Sequence, residues 1–306
     1  GLDTSIIGLG CNNFGRRIDT AQTRAVVDEA LEQGVTFFDT ADIYGRGLSE
    51  EHLGRVLRGR RDQVVLATKF GMDMGDGRGP RGSRDYVLSC AEASLRRLDV
   101  DTIDFYWYHE PDGVTPIEET LGALHELVQA GKVRAIGASN FDAAQLREAD
   151  AVARRRDLTP FTAVQNEYSL IVREPEDEVL PECERLGIGF VPYFPLASGL
   201  LTGKYQRGEP GPAGARLTKR DQIATEEQFD LVERLRAYAA EREISLVDVA
   251  IGALLAQPAV SSVIAGATRP EQVRANARAG GWSPSEEDLI ALGAVLSERG
   301  SAASAR

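Results

Sequence analysis

Short apolar runs alternate with longer amphipathic stretches along the whole chain of 306 residues. A short apolar run bounded by polar residues is typical of a buried strand, and apolar residues at helical spacing are typical of an amphipathic helix. The pattern predicts strands at residues 6–9, 36–39, 64–68, 103–107, 135–138, 163–166, 189–192 and 262–264. It predicts helices near residues 20–33, 49–58, 84–98, 116–131, 142–155, 175–186, 226–242 and 270–279, with two additional helices at 246–256 and 285–298.

Strand–helix units repeated in this order favour an α/β fold class, the closed (β/α)8 or TIM barrel. Since no linker rich in proline, glycine or serine interrupts the series, we predict a single domain over residues 1–306. A doubly wound sheet is the rival, but its GxGxxG fingerprint does not follow the first strand, where the sequence reads IGLGCNN. Residues 197–220 form a long irregular loop after the seventh strand, and such a loop usually has a function.

Capping-box spacing, in which a serine or threonine precedes a glutamate or glutamine by three positions, marks the start of three predicted helices. The pairs are Thr115 with Glu118, Thr225 with Gln228, and Ser283 with Glu286. In the first pair, Pro116 also fits the first helical position.

Composition excludes several classes of partner. The net charge of −12 repels nucleic acid and anionic membranes, so we expect neither as a partner. No apolar run approaches the roughly 18 residues of a transmembrane helix. The three cysteines, Cys11, Cys90 and Cys183, lie far apart without a CxxC pair, which favours a reducing, cytoplasmic location over a disulfide framework. No cluster of histidine, cysteine and aspartate has metal-ligand spacing, so no metal is predicted.

Polar side chains stand where the predicted strands end. Asp39 follows the second strand, Lys69 the third and His109 the fourth, and Tyr44 lies in the loop after Asp39. The next strands end at Ser139 and Asn140, at Gln165, and at Tyr193. Each residue alone has an ordinary explanation in a turn, in packing or at the surface. Because active sites of TIM barrels lie at the carboxyl ends of the strands, their joint placement predicts a catalytic site.

The first four of these residues form a chemically reasonable set for proton transfer. A phenol with a pKa of about 10 is a poor acid or base at neutral pH. A neighbouring ammonium lowers that pKa, and Lys69 could supply it. Asp39 would keep a buried Lys69 charged, and His109 could hydrogen-bond a substrate carbonyl or relay the proton. Tyr44 would then protonate the oxygen of a carbonyl group whose carbon receives a hydride.

Longer segments around these positions resemble the aldo-keto reductase superfamily over essentially the whole chain. FFDTADIYG resembles the family's second-strand motif, LATKFG its lysine strand, and IDFYWYHEPD its histidine segment. AIGASNF and AVQNEYSL resemble the fifth and sixth strands, and PYFPLASGLLTGKY and IAGATRPEQVRANA resemble two cofactor segments. The resemblance implies a catalytic tetrad of Asp39, Tyr44, Lys69 and His109. It also implies reversible hydride transfer between a nicotinamide cofactor and an aldehyde or ketone, or the matching alcohol or sugar, with Tyr44 as general acid/base.

The resemblance implies a set of cofactor contacts as well. Ser139, Asn140 and Gln165 would bind the nicotinamide carboxamide, and Tyr193 would stack on the ring. The loop over the pyrophosphate would contribute Leu196, Ser198, Lys204 and Arg216. The adenosine end would meet Gly266, Arg269, Gln272 and Asn276. Asn140 could instead cap its following helix, and Lys204 could be a solvated loop charge.

Cofactor preference depends on a positive charge for the 2′-phosphate, and Arg269 lies in the loop that the resemblance assigns to it. This favours NADP (NADPH), with NAD as the alternative, since Arg269 could equally be a surface residue and Gln272 stands where many relatives have arginine. The residues expected to border the substrate pocket are Asn12, Phe14, Met72, Trp107 or Tyr108, and Glu110. These rather polar walls hint at hydroxylated small molecules.

Two other functions fit parts of the pattern. Some relatives of this fold bind nicotinamide as a redox sensor while attached to a partner protein, and an intact tetrad fits both a sensor and an enzyme. A barrel hydrolase or aldolase would need a metal cluster or a site for phosphate alone, and the stacking and carboxamide residues argue against it. The oligomeric state is not predicted.

Overall fold

The computed structural model describes residues 2–213, 215, 217 and 224–297. The strands in these ranges are β1 (Ile7–Gly10), β2 (Phe37–Asp39), β3 (Val65–Phe70), β4 (Ile103–Tyr108), β5 (Val133–Ser139), β6 (Ala163–Gln165), β7 (Gly189–Phe190) and β8 (Val263–Gly266). The α-helices are α1 (Thr20–Glu32), α2 (Leu48–Leu57), α3 (Arg84–Leu98), α4 (Ile117–Gln129), α5 (Ala143–Arg156), α6 (Val179–Leu186), α7 (Glu226–Glu241), α8 (Leu246–Leu255), α9 (Pro270–Ala279) and α10 (Glu286–Ser297).

The described strands form one parallel sheet in the order β7-β6-β5-β4-β3-β2-β1-β8. Strands β1 and β2 pair in register from Gly8 with Phe37, and β1 also pairs with β8. At the two outer strands, the amide of Ile264 donates to the carbonyl of Pro192 and the amide of Ser261 donates to the carbonyl of Phe190, both at 3.0 Å. These bonds close the sheet into a barrel, which confirms the predicted (β/α)8 fold class.

Most predicted elements differ from the structure by one or two residues at an end, and two elements differ for a physical reason that the structure shows. The seventh strand ends at Phe190, before the predicted end, although the amides of Val191 and Tyr193 still donate to the carbonyls of Val164 and Asn166. Pro192, between them, has no amide hydrogen to donate to the strand on the other side. The predicted helix at 175–186 is divided into a 3-10 turn at Glu174–Glu176 and helix α6. Between them, Glu178 has φ −136°, which is not helical.

One of the three predicted capping boxes is confirmed. The side chain of Thr225 accepts from the amide of Gln228, and Gln228 accepts in return from the amide of Thr225. The prediction for Thr115 is wrong because its hydroxyl donates to Asp112 at 2.7 Å, and α4 begins after Pro116 without a side-chain cap. The prediction for Ser283 is also wrong, since a box at Ser285 and Asp288 caps α10 instead.

Apolar side chains pack in three regions. Seven residues fill the inside of the barrel, among them Phe105 and Trp107, whose ring centroids are 4.2 Å apart. A larger layer separates the barrel from the surrounding helices, and a third cluster joins α7, α8 and α10. Among the described residues, no helix has the length and apolar character needed to cross a membrane. The packed barrel interior leaves the rim at the carboxyl ends of the strands as the place for chemistry.

Candidate active site

A buried ion pair stands at the carboxyl ends of β2 and β3. The ammonium of Lys69 contacts Oδ2 of Asp39 and donates to the carbonyl oxygen of Thr40 at 3.0 Å. Lys69 has no solvent-exposed surface, and Asp39 is almost fully buried. Nε2 of Gln165 donates to the other carboxylate oxygen of Asp39 at 3.2 Å. Both oxygens of Asp39 therefore accept hydrogen bonds, as an ionised carboxylate does.

Tyr44 reaches this pair from the loop between β2 and α2. Three successive residues, Gly45, Arg46 and Gly47, have positive φ angles of 63°, 57° and 92°, a backbone conformation that glycine adopts at little cost. The loop turns sharply there, and the Tyr44 ring lies 5.3 Å from the Lys69 ammonium. The ring also meets the His109 ring edge-on, with 6.0 Å between centroids. The structure thus brings the four predicted catalytic residues together at one rim.

Burial governs the ionisation of Tyr44. Loss of solvent raises the pKa of its phenol, and the Lys69 charge lowers it by a smaller amount, so the pKa lies above the ordinary value. Lys69 lowers the pKa of Tyr44, as expected, but the expectation that the net pKa falls is wrong, because burial raises it by more. The phenol is therefore protonated at neutral pH.

The neighbouring groups keep the charges that their partners favour. Burial lowers the pKa of Lys69, but the Coulomb attraction of Asp39 and Tyr44 raises it by more, so the ammonium stays charged. Burial raises the pKa of Asp39, which Lys69 and Gln165 oppose. Burial, followed by the Lys69 charge, holds the pKa of His109 well below its usual range, so the imidazole is neutral. Its Nδ1 is buried without a hydrogen-bond partner among the described residues.

A chain of hydrogen bonds joins the residues at the ends of β5, β6 and β7. The Tyr193 hydroxyl donates to Oδ1 of Asn140 at 2.8 Å, and Nδ2 of Asn140 donates to the His109 carbonyl at 2.9 Å. The Ser139 hydroxyl donates to the Gln165 carbonyl at 2.8 Å. Asn140 has a positive φ of 60° and does not cap α5, because Asp142 caps that helix. The predicted carboxamide residues therefore lie side by side, next to the tetrad.

The segment after β7 contains three of the predicted pyrophosphate contacts. Ser198 lies in a short 3-10 stretch, Ala197–Thr202, and has a positive φ of 56°. The Lys204 ammonium lies 5.1 Å from the centre of the Tyr205 ring, and a Cβ on Gly199 would approach its Nζ to 2.4 Å. Leu196 is partly buried against two apolar clusters. Arg216 lies outside the described residues.

The predicted adenosine contacts surround the start of α9. Arg269 is exposed and is the residue before the helix, while Gly266 is an exposed end of β8. Oε1 of Gln272 accepts from the amide and the hydroxyl of Thr268 at 2.8 and 3.1 Å, so this side chain stabilises its own loop. Asn276 is buried.

The predicted pocket residues occupy different depths. Asn12 and Met72 are half-buried, and Glu110 is exposed directly after His109. Phe14 has no exposed surface and packs in the layer between barrel and helices. Trp107 is also fully buried, inside the barrel. A role of Phe14 or Trp107 in touching substrate stays a prediction, and neither side chain reaches the surface here.

Residues 6–295 match the model of the Aldo/keto reductase family. The chain belongs to the aldo/keto reductase family. A probable voltage-gated potassium channel subunit beta from Oryza sativa subsp. japonica is 36% identical over 292 residues, which cover 91% of this chain and 88% of the relative. A protein of the same description from Arabidopsis thaliana is 36% identical over 290 residues, 91% of this chain and 88% of its own length. Probable aldo-keto reductase 1 from Glycine max is 36% identical over 303 residues, 94% of this chain and 84% of its own.

Sequence reasoning missed a second set of buried polar residues, which lies next to the four rim residues on the side away from the barrel interior. Glu50 and Thr68 share a hydrogen bond of 2.6 Å, and Thr40 and Ser49 share one of 2.7 Å. Asp42 is nearly fully buried, and its Oδ1 has no partner among the described residues. A signal was present, because Thr40 and Thr68 directly adjoin Asp39 and Lys69 and so face away from the barrel interior.

Proposed function

We propose that this aldo/keto reductase family member is an NADPH-dependent reductase that transfers hydride reversibly between the cofactor and an aldehyde or ketone. One observation carries the proposal: a protonated, half-buried tyrosine lies against a charged lysine and a neutral histidine. These groups can hold a carbonyl oxygen and give it a proton. When bound, NADPH would supply the hydride to the carbonyl carbon.

Tyr44 acts as the general acid. Its raised pKa keeps the proton on the phenol until a stronger base appears nearby. A carbonyl oxygen that gains negative charge during reduction becomes such a base, and the proton then moves from the Tyr44 hydroxyl to that oxygen. In the reverse direction, the Tyr44 phenolate takes the proton from an alcohol.

Lys69 stabilises the phenolate that remains after proton transfer. Its buried ammonium lies 5.3 Å from the centre of the Tyr44 ring and is held by Asp39, and a Coulomb attraction is stronger in a buried site than in water. Asp39 therefore acts through Lys69 by keeping it charged and in place. The prearranged charge costs no reorganisation when the proton moves.

His109 orients the substrate. A neutral imidazole can hydrogen-bond the carbonyl without adding a second positive charge beside Lys69. Its position is fixed by the bond from Asn140 to its own backbone carbonyl. His109 therefore orders the substrate relative to Tyr44.

The residues at the ends of β5 to β7 fit a nicotinamide. A primary carboxamide needs both donors and acceptors, and Ser139, Asn140 and Gln165 together offer both. Tyr193 presents an aromatic ring beside them, bound to Asn140. For the far end of the cofactor we propose Arg269, whose exposed guanidinium can pair with a 2′-phosphate, so we favour NADPH over NADH.

Replacing Tyr44 by phenylalanine tests the enzyme directly. The Tyr44→Phe variant keeps the ring and loses the proton, so we expect carbonyl reduction to fall by roughly 100-fold or more with the affinity for NADPH unchanged. Reduction of a panel of aldehydes, ketones, aldoses and steroids is followed by NADPH absorbance. Tyr238→Phe is the matched control, since the Tyr238 hydroxyl donates to the backbone carbonyl of Asp288 at 2.9 Å, between helices α7 and α10. Full turnover by Tyr44→Phe would overturn the proposal.

A second candidate follows from the two potassium channel relatives. In this function the chain would be a regulatory subunit of a voltage-gated channel, and the redox state of its nicotinamide would be the signal. Co-expression with channel-forming subunits and recording of the current tests it, with Tyr44→Phe as the redox-inactive form. A current that the chain leaves unchanged would remove this candidate.

A further inference from the structure

A carboxylate without solvent exposure stands in the first turn of α2. Glu50 is fully buried, and both of its oxygens accept strong hydrogen bonds. Oε1 accepts from the Thr68 hydroxyl, and Oε2 accepts from Nε of Arg97, each at 2.6 Å. Strand β3, helix α2 and helix α3 therefore meet at one side chain.

The contact with Thr68 lies directly behind the proposed catalytic lysine. Successive side chains of a strand point to opposite faces, so Lys69 faces the barrel interior while Thr68 faces the helices. The hydrogen bond from Thr68 to Glu50 fixes β3 from the outer face at the position of Lys69. A small shift of this strand would move the ammonium relative to Tyr44.

Ser49 supplies a second link from the same turn. Its hydroxyl donates to the Cys11 carbonyl at 2.8 Å and accepts from the Thr40 hydroxyl at 2.7 Å. The Thr40 carbonyl in turn accepts from the Lys69 ammonium at 3.0 Å. The amide of Ser49 also donates to the Tyr44 carbonyl at 3.2 Å. The start of α2 is thus tied to the chain on both sides of the tetrad residues.

The side chain of Arg97 packs against the loop that carries Tyr44. A Cβ placed on Gly47 would lie 2.6 Å from Cδ of Arg97 and 2.8 Å from its Nε. With its φ of 92°, Gly47 is the residue that permits both the turn and this close approach. The Arg97 side chain therefore packs on the Tyr44 loop while its Nε holds Glu50.

We propose that Glu50 and Thr68 are positioning residues, and that the bridge Arg97–Glu50–Thr68 keeps Lys69 and Tyr44 at their working separation. Apolar side chains could stabilise this region as well as a buried ion pair does, but they lack directional bonds. The bridge supplies direction, since each of its hydrogen bonds fixes the position of one element. This inference rests on the proposed reductase function.

The test compares Thr68→Val with Thr68→Ser in the full chain. Valine keeps the volume and loses the hydroxyl, whereas serine keeps the hydroxyl. The matched control is Thr120→Val, because Thr120 is also fully buried and its hydroxyl donates to the Gly82 carbonyl at 2.8 Å, away from the tetrad. Glu50→Gln is a further variant that removes the charge, and the threonine series decides if that variant does not fold.

A positioning role predicts a change in turnover without a change in binding. We expect kcat of Thr68→Val to fall by about tenfold to 100-fold with the Kd for NADPH unchanged, because small displacements of reacting groups cost this much. Thr68→Ser should recover most of the rate, and Thr120→Val should lose thermal stability with little loss of kcat. Equal kcat values for Thr68→Val and Thr120→Val would overturn the inference.

Hydrogen exchange separates failure of this inference from failure of the proposed function. Amide exchange of residues 40–47 does not require turnover. If wild type reduces no carbonyl in the panel, the proposed function fails, and faster exchange of residues 40–47 in Thr68→Val than in Thr120→Val would still support the bridge. Equal exchange in these two variants would overturn the bridge whether or not the wild type is active.

Discussion

The ammonium of Lys69 lies 5.3 Å from the centre of the Tyr44 ring, and the Lys69 side chain has no solvent-exposed surface. The charge favours ionisation of the phenol, but burial opposes it more strongly. The pair therefore holds a protonated tyrosine next to a positive charge, which in the proposed reaction would stabilise its conjugate base. This arrangement determines how the protein should respond to mutation and pH.

Removing one member of the Lys69–Asp39 pair should cost more stability than removing both. Lys69→Met leaves the buried Asp39 carboxylate uncompensated, and we expect a loss of about 3–5 kcal/mol in the free energy of unfolding. The double variant Lys69→Met/Asp39→Asn should recover much of this loss, since no unpaired charge remains. Urea denaturation measures the cycle. A double variant as unstable as Lys69→Met would contradict the assignment of a buried ion pair.

The pH dependence of reduction follows from two opposite pKa shifts. The pKa of Tyr44 is raised, so its proton is lost only at pH values above the ordinary range near 10. The pKa of His109 is lowered, so the imidazole is already neutral at pH 6.5. We therefore expect kcat/KM for a non-ionising aldehyde to stay flat between about pH 7 and pH 9. A fall with a midpoint in this interval would show that Tyr44 ionises more easily than its burial implies.

Asp42 should make the protein less stable as the pH rises. Burial, followed by the nearby Glu50, raises the pKa of Asp42 from 3.8 to about 7. Between these values the folded chain holds a proton that the unfolded chain has lost, so the free energy of unfolding falls with increasing pH. Asp42→Asn should stabilise the protein by roughly 1–3 kcal/mol at pH 8 and by less at pH 5. Chemical denaturation at both pH values measures the difference. The exposed Asp101, changed to asparagine, is the control, and an equal gain at pH 5 and pH 8 would contradict the shift.

Arg269 should distinguish the two nicotinamide cofactors. If its guanidinium pairs with the 2′-phosphate, Arg269→Ala should weaken NADPH binding by about tenfold or more and leave NADH binding unchanged. Fluorescence titration with each cofactor gives the two Kd values. Arg278→Ala removes an exposed charge from the other end of α9 and serves as control. Equal Kd values of wild type for NADPH and NADH would overturn the proposed preference.

Much of the fold and of the rim could be read from the order of residues. Parallel strands of a barrel all end at one rim, so Asp39, Lys69 and His109 needed only to follow successive strands to be expected together. Local signals were less reliable where several partners compete. Thr115 has the capping-box spacing, yet its hydroxyl donates to the Asp112 carboxylate instead. Ser283 has the same spacing, yet Ser285 caps the helix.

The sequence by itself determined the eightfold alternation, the fold class, the family and the placement of Asp39, Tyr44, Lys69 and His109 at one rim, because these depend on patterns along the chain. Only the tertiary structure decided the protonation of Tyr44, the burial of Trp107 and the bridge from Arg97 through Glu50 to Thr68. The physical reason is that desolvation and hydrogen-bond partners depend on which distant segments pack around a group. Arg97 follows Glu50 by 47 positions, and no local pattern indicates that the two side chains meet.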